Sequence, residues 1–109
     1  MTEHIRIFVT CRSAEECAKI ARHLVQARLI ACGNIIPGIR SIYMWKGNIE
    51  DDGEALLIMK TRSSHFDHIV KEIKALHSYE VPEIIASPIT QGHDAYLNWI
   101  DDVTRPESD

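Results

Sequence analysis

The sequence predicts a single α+β domain whose elements run strand, helix, strand, strand, helix, strand, helix, the first six forming two β-α-β halves joined by a hairpin. Three observations carry this ferredoxin-like βαββαβ order. Apolar residues alternate strictly near the start, two amphipathic helical stripes each follow a strand, and a long β-rich stretch folds back on itself between them. At 109 residues the chain has room for one compact domain, residues 1–109, at about 100–150 residues per domain.

Ile5, Ile7 and Val9 alternate with His4, Arg6, Phe8 and Thr10, which defines the first strand. Ser13-Ala14-Glu15-Glu16 has the capping-box form, and Ala14, Cys17, Ala18, Ala21, Leu24 and Val25 then recur at helical spacing to about Arg28. From Leu29 to Trp45 the chain is β-rich, with Pro37-Gly38 marking a bend or bulge at an edge. Lys46-Gly47-Asn48 supplies the turn of a long hairpin. Its return arm starts at Ile49, passes a second expected bulge at Gly53, and enters Ala55-Leu56-Leu57-Ile58-Met59, apolar enough for a central strand. Ser63 or Ser64 caps the second helix, whose stripe is Phe66, Ile69, Val70, Ile73 and Leu76, ending near His77. Pro82 pins the loop from Ser78 to Glu83, and Pro88 stops a short strand from Ile84 to Ser87. Gly92-His93-Asp94 opens a last helix with Ala95, Tyr96, Trp99, Ile100 and Val103 inward, and Arg105 to Asp109 form a polar tail.

The hairpin bears on assembly. At about 3.3 Å per residue its longer arm reaches on the order of 40 Å, against a radius of gyration of about 13 Å for a domain of this size. It overhangs its own domain and exposes Ile42, Tyr43, Met44 and Trp45 unless another chain covers them, so the expected state is an obligate homo-oligomer.

Composition excludes several classes of function. Twelve basic against sixteen acidic residues give a net charge of −4, which leaves no excess cation to track a nucleic acid. There is no run of eighteen apolar residues for a membrane span, and the first residues lack the shape of a signal peptide, so the chain reads as cytoplasmic. Cys11, Cys17 and Cys32 are an odd set with no Cys-x-x-Cys pair, which reads as reduced thiols. Phosphate-loop, dinucleotide, nucleophile-elbow and His-Glu-x-x-His motifs are all missing, and nothing calls for an organic cofactor. The chain reads as non-enzymatic.

Six histidines beside three thiols are the unusual supply. Cys11 falls where the first strand feeds a helix N-terminus, a position that lowers a thiol's pKa and favours the thiolate that binds copper or zinc; its other reading is a small buried hydrophobe. Cys17 and Cys32 read as core packing. His77 stands beside Tyr79, Glu80 and Glu83, a group able to hold a metal or small anion, or else simply to cap a helix and anchor a loop. Cys11 and His77 form a Cys-His nucleophile pair only if the fold joins them, and in this element order the two need not share an end of the sheet. His65 and His68 read as a solvated face, Glu50-Asp51-Asp52-Gly53-Glu54 as a charged hairpin rim, and His4, His23 and His93 as having no ligand partner.

The stretch from Leu29 to Gly47, with Glu54 through Lys60-Thr61 and His77-Ser78-Tyr79-Glu80-Val81-Pro82-Glu83-Ile84, resembles the divalent-cation tolerance protein CutA family, in the same order and over about Ile7 to Ile100. The resemblance implies a ferredoxin-like protomer in a stable homotrimer, assembled through strands in a manner similar to the PII nitrogen-regulatory proteins. It also implies a non-enzymatic role in tolerance to copper and other divalent cations. The family's proposed copper ligands are a cysteine closing the first strand, matched by Cys11, and two histidines closing the second helix. His77 matches the second of these; Leu76 stands in place of the first, and Ser78 where a proline is common. An alternative is a PII-like signalling or scaffold module binding a small molecule or protein between subunits, with Tyr43, Trp45, Lys60, Tyr79 and Glu83 lining the pocket.

Overall fold

A computed structural model describes residues 3–106; Met1, Thr2 and the end of the expected polar tail lie outside the described residues. The strands β1 (His4–Cys11), β2 (Cys32–Trp45), β3 (Asn48–Arg62) and β4 (Ile84–Pro88) form one antiparallel sheet in the order β2-β3-β1-β4. The helices are α1 (Ala14–Gln26), α2 (Phe66–Leu76) and α3 (Asp94–Val103). Among them no helix is long and apolar enough to cross a membrane.

The alternation read in β1 sorts its side chains as expected: Ile5, Ile7, Val9 and Cys11 are buried, and across the ladder Ala55, Leu57 and Met59 of β3 join them. Cys17, Ile20, Ala21 and Leu24 of α1 and Ile69 and Ile73 of α2 close over that face. A Cβ on Gly33 would stand 3.0 Å from Cβ of Ala21, so glycine is what lets β2 run this close to α1. On the other parity, His4 reaches Asp101 at 2.9 Å and Arg62 reaches Thr104 at 3.0 Å, which seats α3 against the second face of the sheet.

β1 pairs with β3 only up to Ala55. Beyond it, Ile39–Trp45 and Asn48–Glu54 continue as a two-stranded ribbon, and the molecule measures 43 × 27 × 23 Å. Lys46 and Gly47 both take positive φ, 49° and 83°, the type I′ geometry whose twist matches that of the strands it joins. The ribbon leaves Ile42, Met44 and Ile49 largely exposed.

Four local expectations change. Gly53 pairs in register with Arg40; the single irregularity in the β2–β3 ladder lies between Ile36 and Ile39, where Pro37 withholds a donor and Gly38 takes φ 72°. Ser63 and Ser64 lie in a 3-10 turn ahead of α2, whose N-cap is His65 with no side-chain capping bond. α1 stops at Gln26 because Arg28 turns left-handed (φ 60°) and closes a Schellman motif, with Leu29 N bonded to Leu24 O and Arg28 N to Val25 O, both at 3.0 Å. On α3 only Ile100 is fully buried, while Ala95, Tyr96 and Trp99 face outward, since the core is already filled by α1 and α2 on the opposite side of the sheet.

Candidate functional site

Two places gather reactive side chains from distant parts of the chain. The first is the junction of β1, the start of α1 and the end of α2. Cys11 closes β1 on its core face and is fully buried. Ser13 caps α1 by accepting from Glu16 N, which fixes Glu16 on the first turn facing the same junction. His77 follows the last residue of α2, and its ring turns back onto β1. Sγ of Cys11, a carboxylate oxygen of Glu16 and a ring nitrogen of His77 all lie within 4.8 Å of one another. Strand and helix ends that sequence order leaves unrelated therefore meet.

Backbone groups hold this junction. His77 Nε2 donates to the Thr10 carbonyl at 2.8 Å, and Nδ1 accepts from Tyr79 N–H at 3.0 Å. A carbonyl only accepts and an amide N–H only donates, so the ring is the neutral Nε2–H tautomer with both nitrogens engaged. Glu16 spans the same gap: Oε1 accepts from Arg12 N at 2.9 Å and Oε2 from Ser78 N at 2.8 Å. Burial pushes its carboxyl up, but the hydrogen bonds from Arg12 and Ser78 outweigh this and hold it below the ordinary carboxylate range.

The thiol of Cys11 moves the other way. Burial pushes it well above the ordinary thiol range, assisted by the hydrogen-bonded Cys17 thiol and by the carboxylates of Glu16 and Glu54. The lowering expected from the helix N-terminus is overridden by desolvation and by like charge. Nor is a Cys-His nucleophile pair set up, because neither nitrogen of His77 has a free lone pair to take the thiol's proton.

The second place is a cleft of about 720 Å³ between the ribbon and the loop after α2, lined by Thr10, Ser41, Ile42, Tyr43, Trp45, Glu54, Ser78, Tyr79, Glu80, Val81 and Glu83. Tyr79 donates to Glu54 Oε2 at 2.6 Å and Tyr43 to Asp52 Oδ2 at 2.7 Å. Losing that bond to Asp52 is the main reason the Tyr43 phenol is pushed up to about 12. Tyr43, Trp45, Tyr79 and Glu83 thus share one cleft. Lys60 does not line it: it sits five residues along β3 from Ala55, about 16 Å away at strand rise, and donates to Asn34.

Other sequence expectations are corrected by long-range contacts. His65 is buried rather than solvated, with Nε2 against the Arg105 carbonyl at 3.0 Å. Cys32 is only partly buried, its sulfur 3.5 Å from the Tyr96 hydroxyl. Glu54 is buried beneath Tyr79, so the acidic run is not uniformly a solvated rim. His23 does have a partner, Glu72 at 2.7 Å across the α1–α2 contact. Glu16 and Glu54, which sequence reasoning did not place in the site, carry no signal there beyond the capping box and an acidic stretch.

A family model described as CutA1 divalent ion tolerance protein matches residues 5–103. The chain is 46% identical over 101 residues to the chloroplastic Protein CutA of Arabidopsis thaliana, covering 93% of this chain and 56% of that protein. It is 46% identical over 94 residues to the divalent-cation tolerance protein CutA of Thermus thermophilus, covering 86% and 91%. The chain spans a little over half the length of the Arabidopsis, mouse and human relatives it matches. Among solved structures, CutA1 from Oryza sativa superposes with a TM-score of 0.91 at 43% identity, covering 94% of each chain. The periplasmic divalent cation tolerance protein CutA from Archaeoglobus fulgidus gives 0.89 at 44%, covering 92% and 97%. These last words, with the chloroplastic Arabidopsis relative, overturn the cytoplasmic expectation: similar chains work in other compartments, and neither the reduced-thiol reading nor the first residues fix one.

Proposed function

The chain belongs to the CutA1 divalent ion tolerance family, and from that premise we propose that it is a non-enzymatic, homotrimeric protein of ferredoxin-like topology that binds a divalent cation or copper. The observation that supports metal binding is the meeting of a thiol, a carboxylate and an imidazole within 4.8 Å. This donor set suits a borderline or soft cation, and Glu16 supplies the third donor that Leu76 does not. Cys11 would give thiolate and His77 the Nδ1 now held by Tyr79 N–H, so loading costs one proton and one hydrogen bond. The trimer reading rests on the ribbon, whose apolar residues one chain cannot cover.

Calorimetric titration of the reduced protein with copper tests the site. Cys11→Ser and Glu16→Gln should each weaken binding, and unchanged binding in both variants would remove these residues from it. Sedimentation should give three chains per particle; a monomer at micromolar concentration would sink the assembly.

The cleft favours a second reading, a PII-like module that takes a small molecule or protein beside Tyr43, Trp45, Tyr79 and Glu83. A thermal-shift screen in the presence of a chelator separates the two, since only this second kind of binding survives it.

A further inference from the structure

On the outer side of the helices, α1 and α2 bring together a second set of ligand-bearing side chains, on the same two helices as the junction but one to three turns away from Glu16 and His77. Glu72 stands between two imidazoles. Its Oε1 is 2.7 Å from His23 Nε2 on α1, and its Oε2 is 3.8 Å from His68 Nε2, one turn earlier on α2. All three side chains are partly exposed, His23 by 43%, His68 by 45% and Glu72 by 33%, so each can rotate and an ion can reach them. Nε2 of His23 and of His68 face the Glu72 carboxylate, whereas both ring nitrogens of His77 are held by backbone groups. The two imidazoles hold the Glu72 carboxyl below its ordinary range, chiefly through the His23 hydrogen bond, so it is present as the carboxylate a cation needs.

We propose that His23, His68 and Glu72 form a surface site for a borderline divalent cation such as Zn(II), Ni(II) or Cu(II), built across the α1–α2 contact. Two imidazoles and one carboxylate are a common donor set for such ions, with water completing the shell. Ligand atoms at about 2.0–2.1 Å in tetrahedral array stand about 3.3 Å apart; the observed separations, 2.7 and 3.8 Å, run to different oxygens of Glu72, so loading turns the exposed His68 and Glu72 side chains to bring the three donors to one ion. Binding replaces the His23–Glu72 hydrogen bond with two metal–ligand bonds, the imidazole keeping its one N–H at Nδ1. The His68-Glu72 pair at i, i+4 chelates from one helix face, and His23 adds a ligand from the other helix. Arg105 is a nearby cation that opposes binding; its Nε is tied to the Ala27 carbonyl at 2.8 Å. The site stands on its own geometry and does not depend on the Cys11 group.

The test is a Zn(II) titration of the full chain carrying Cys11→Ser, followed by calorimetry and by the imidazole nitrogen NMR signals. The expected result is one ion per chain with His23 and His68 shifting first, and binding about tenfold or more weaker in His23→Gln and in Glu72→Gln, since even outer-shell losses cost 10–100-fold. Far-UV circular dichroism should be unchanged, as all three residues are on the surface. Zn(II) binding that is equal in the three proteins, shifts confined to His77, or no binding at all would overturn the proposal. Loss of one copper equivalent in Cys11→Ser, with Zn(II) binding retained, reports on the two sites separately.

Discussion

At the junction of β1, α1 and α2, His77, Glu16 and Ser78 find their hydrogen-bond partners within one chain, and Cys11 is fully buried beside them. The β2–β3 ribbon, in contrast, pairs its backbone yet leaves Ile42, Met44 and Ile49 64%, 65% and 74% exposed. The first region is finished by its own fold; the second has its shape fixed by a turn and a ladder but lacks a covering layer. Packing and hydrogen bonding are thus separable here: a strand pair can be complete in one and deficient in the other.

Substitutions can break or sharpen that contrast. The largest effect is expected at the shared core, where Leu57 is fully buried between β1 and the helices: Leu57→Ala should cost about 2–5 kcal/mol in urea unfolding. At the junction, Glu16→Gln weakens two charge-assisted bonds and should cost about 1–3 kcal/mol at pH 7. Because the folded carboxyl lies below its unfolded value of 4.5, its contribution is present above that value and is lost as pH falls through the folded one. The parent and Glu16→Gln curves should therefore converge as pH falls below 4.5; a constant gap would show that the charge is not what matters. In the ribbon, Arg40 pairs with Asp51 at 2.7 Å in full solvent, and Arg40→Ala should leave the unfolding midpoint unmoved, as exposed ion pairs contribute little.

Periodicity exposed most of the fold because β1, α1, α2 and β3 each present a single buried face, so a pattern of two or 3.6 reports it directly. It misled at α3. Tyr96 and Trp99 have the spacing of inward residues but lie on a helix packed against the second face of the sheet, where Ile100 alone is fully enclosed. The junction was half legible. Cys11 and His77 stand out as residue types, but their meeting depends on contacts 62 and 67 residues apart, Ser78 with Glu16 and His77 with Thr10. The fate of the Cys11 thiol could not be read locally either, since burial and the carboxylate of Glu54 act from elsewhere in the fold. His65 and His68 look alike three residues apart, and only the return of the chain at Arg105 buries the first and leaves the second on the surface.

The left-handed Arg28 that ends α1 also reaches across to the end of α3, donating to the Asp102 and Val103 carbonyls at 3.1 and 3.3 Å. Arg105 returns the contact, its backbone N to the Arg28 carbonyl and its Nε to that of Ala27, both at 2.8 Å. The end of each helix thereby receives, from the residues that follow the other, donors for carbonyls it leaves unpaired. Fraying at one end removes the donors from the other, so the last turns of α1 and α3, some 75 residues apart in sequence, open to amide exchange as one cooperative unit.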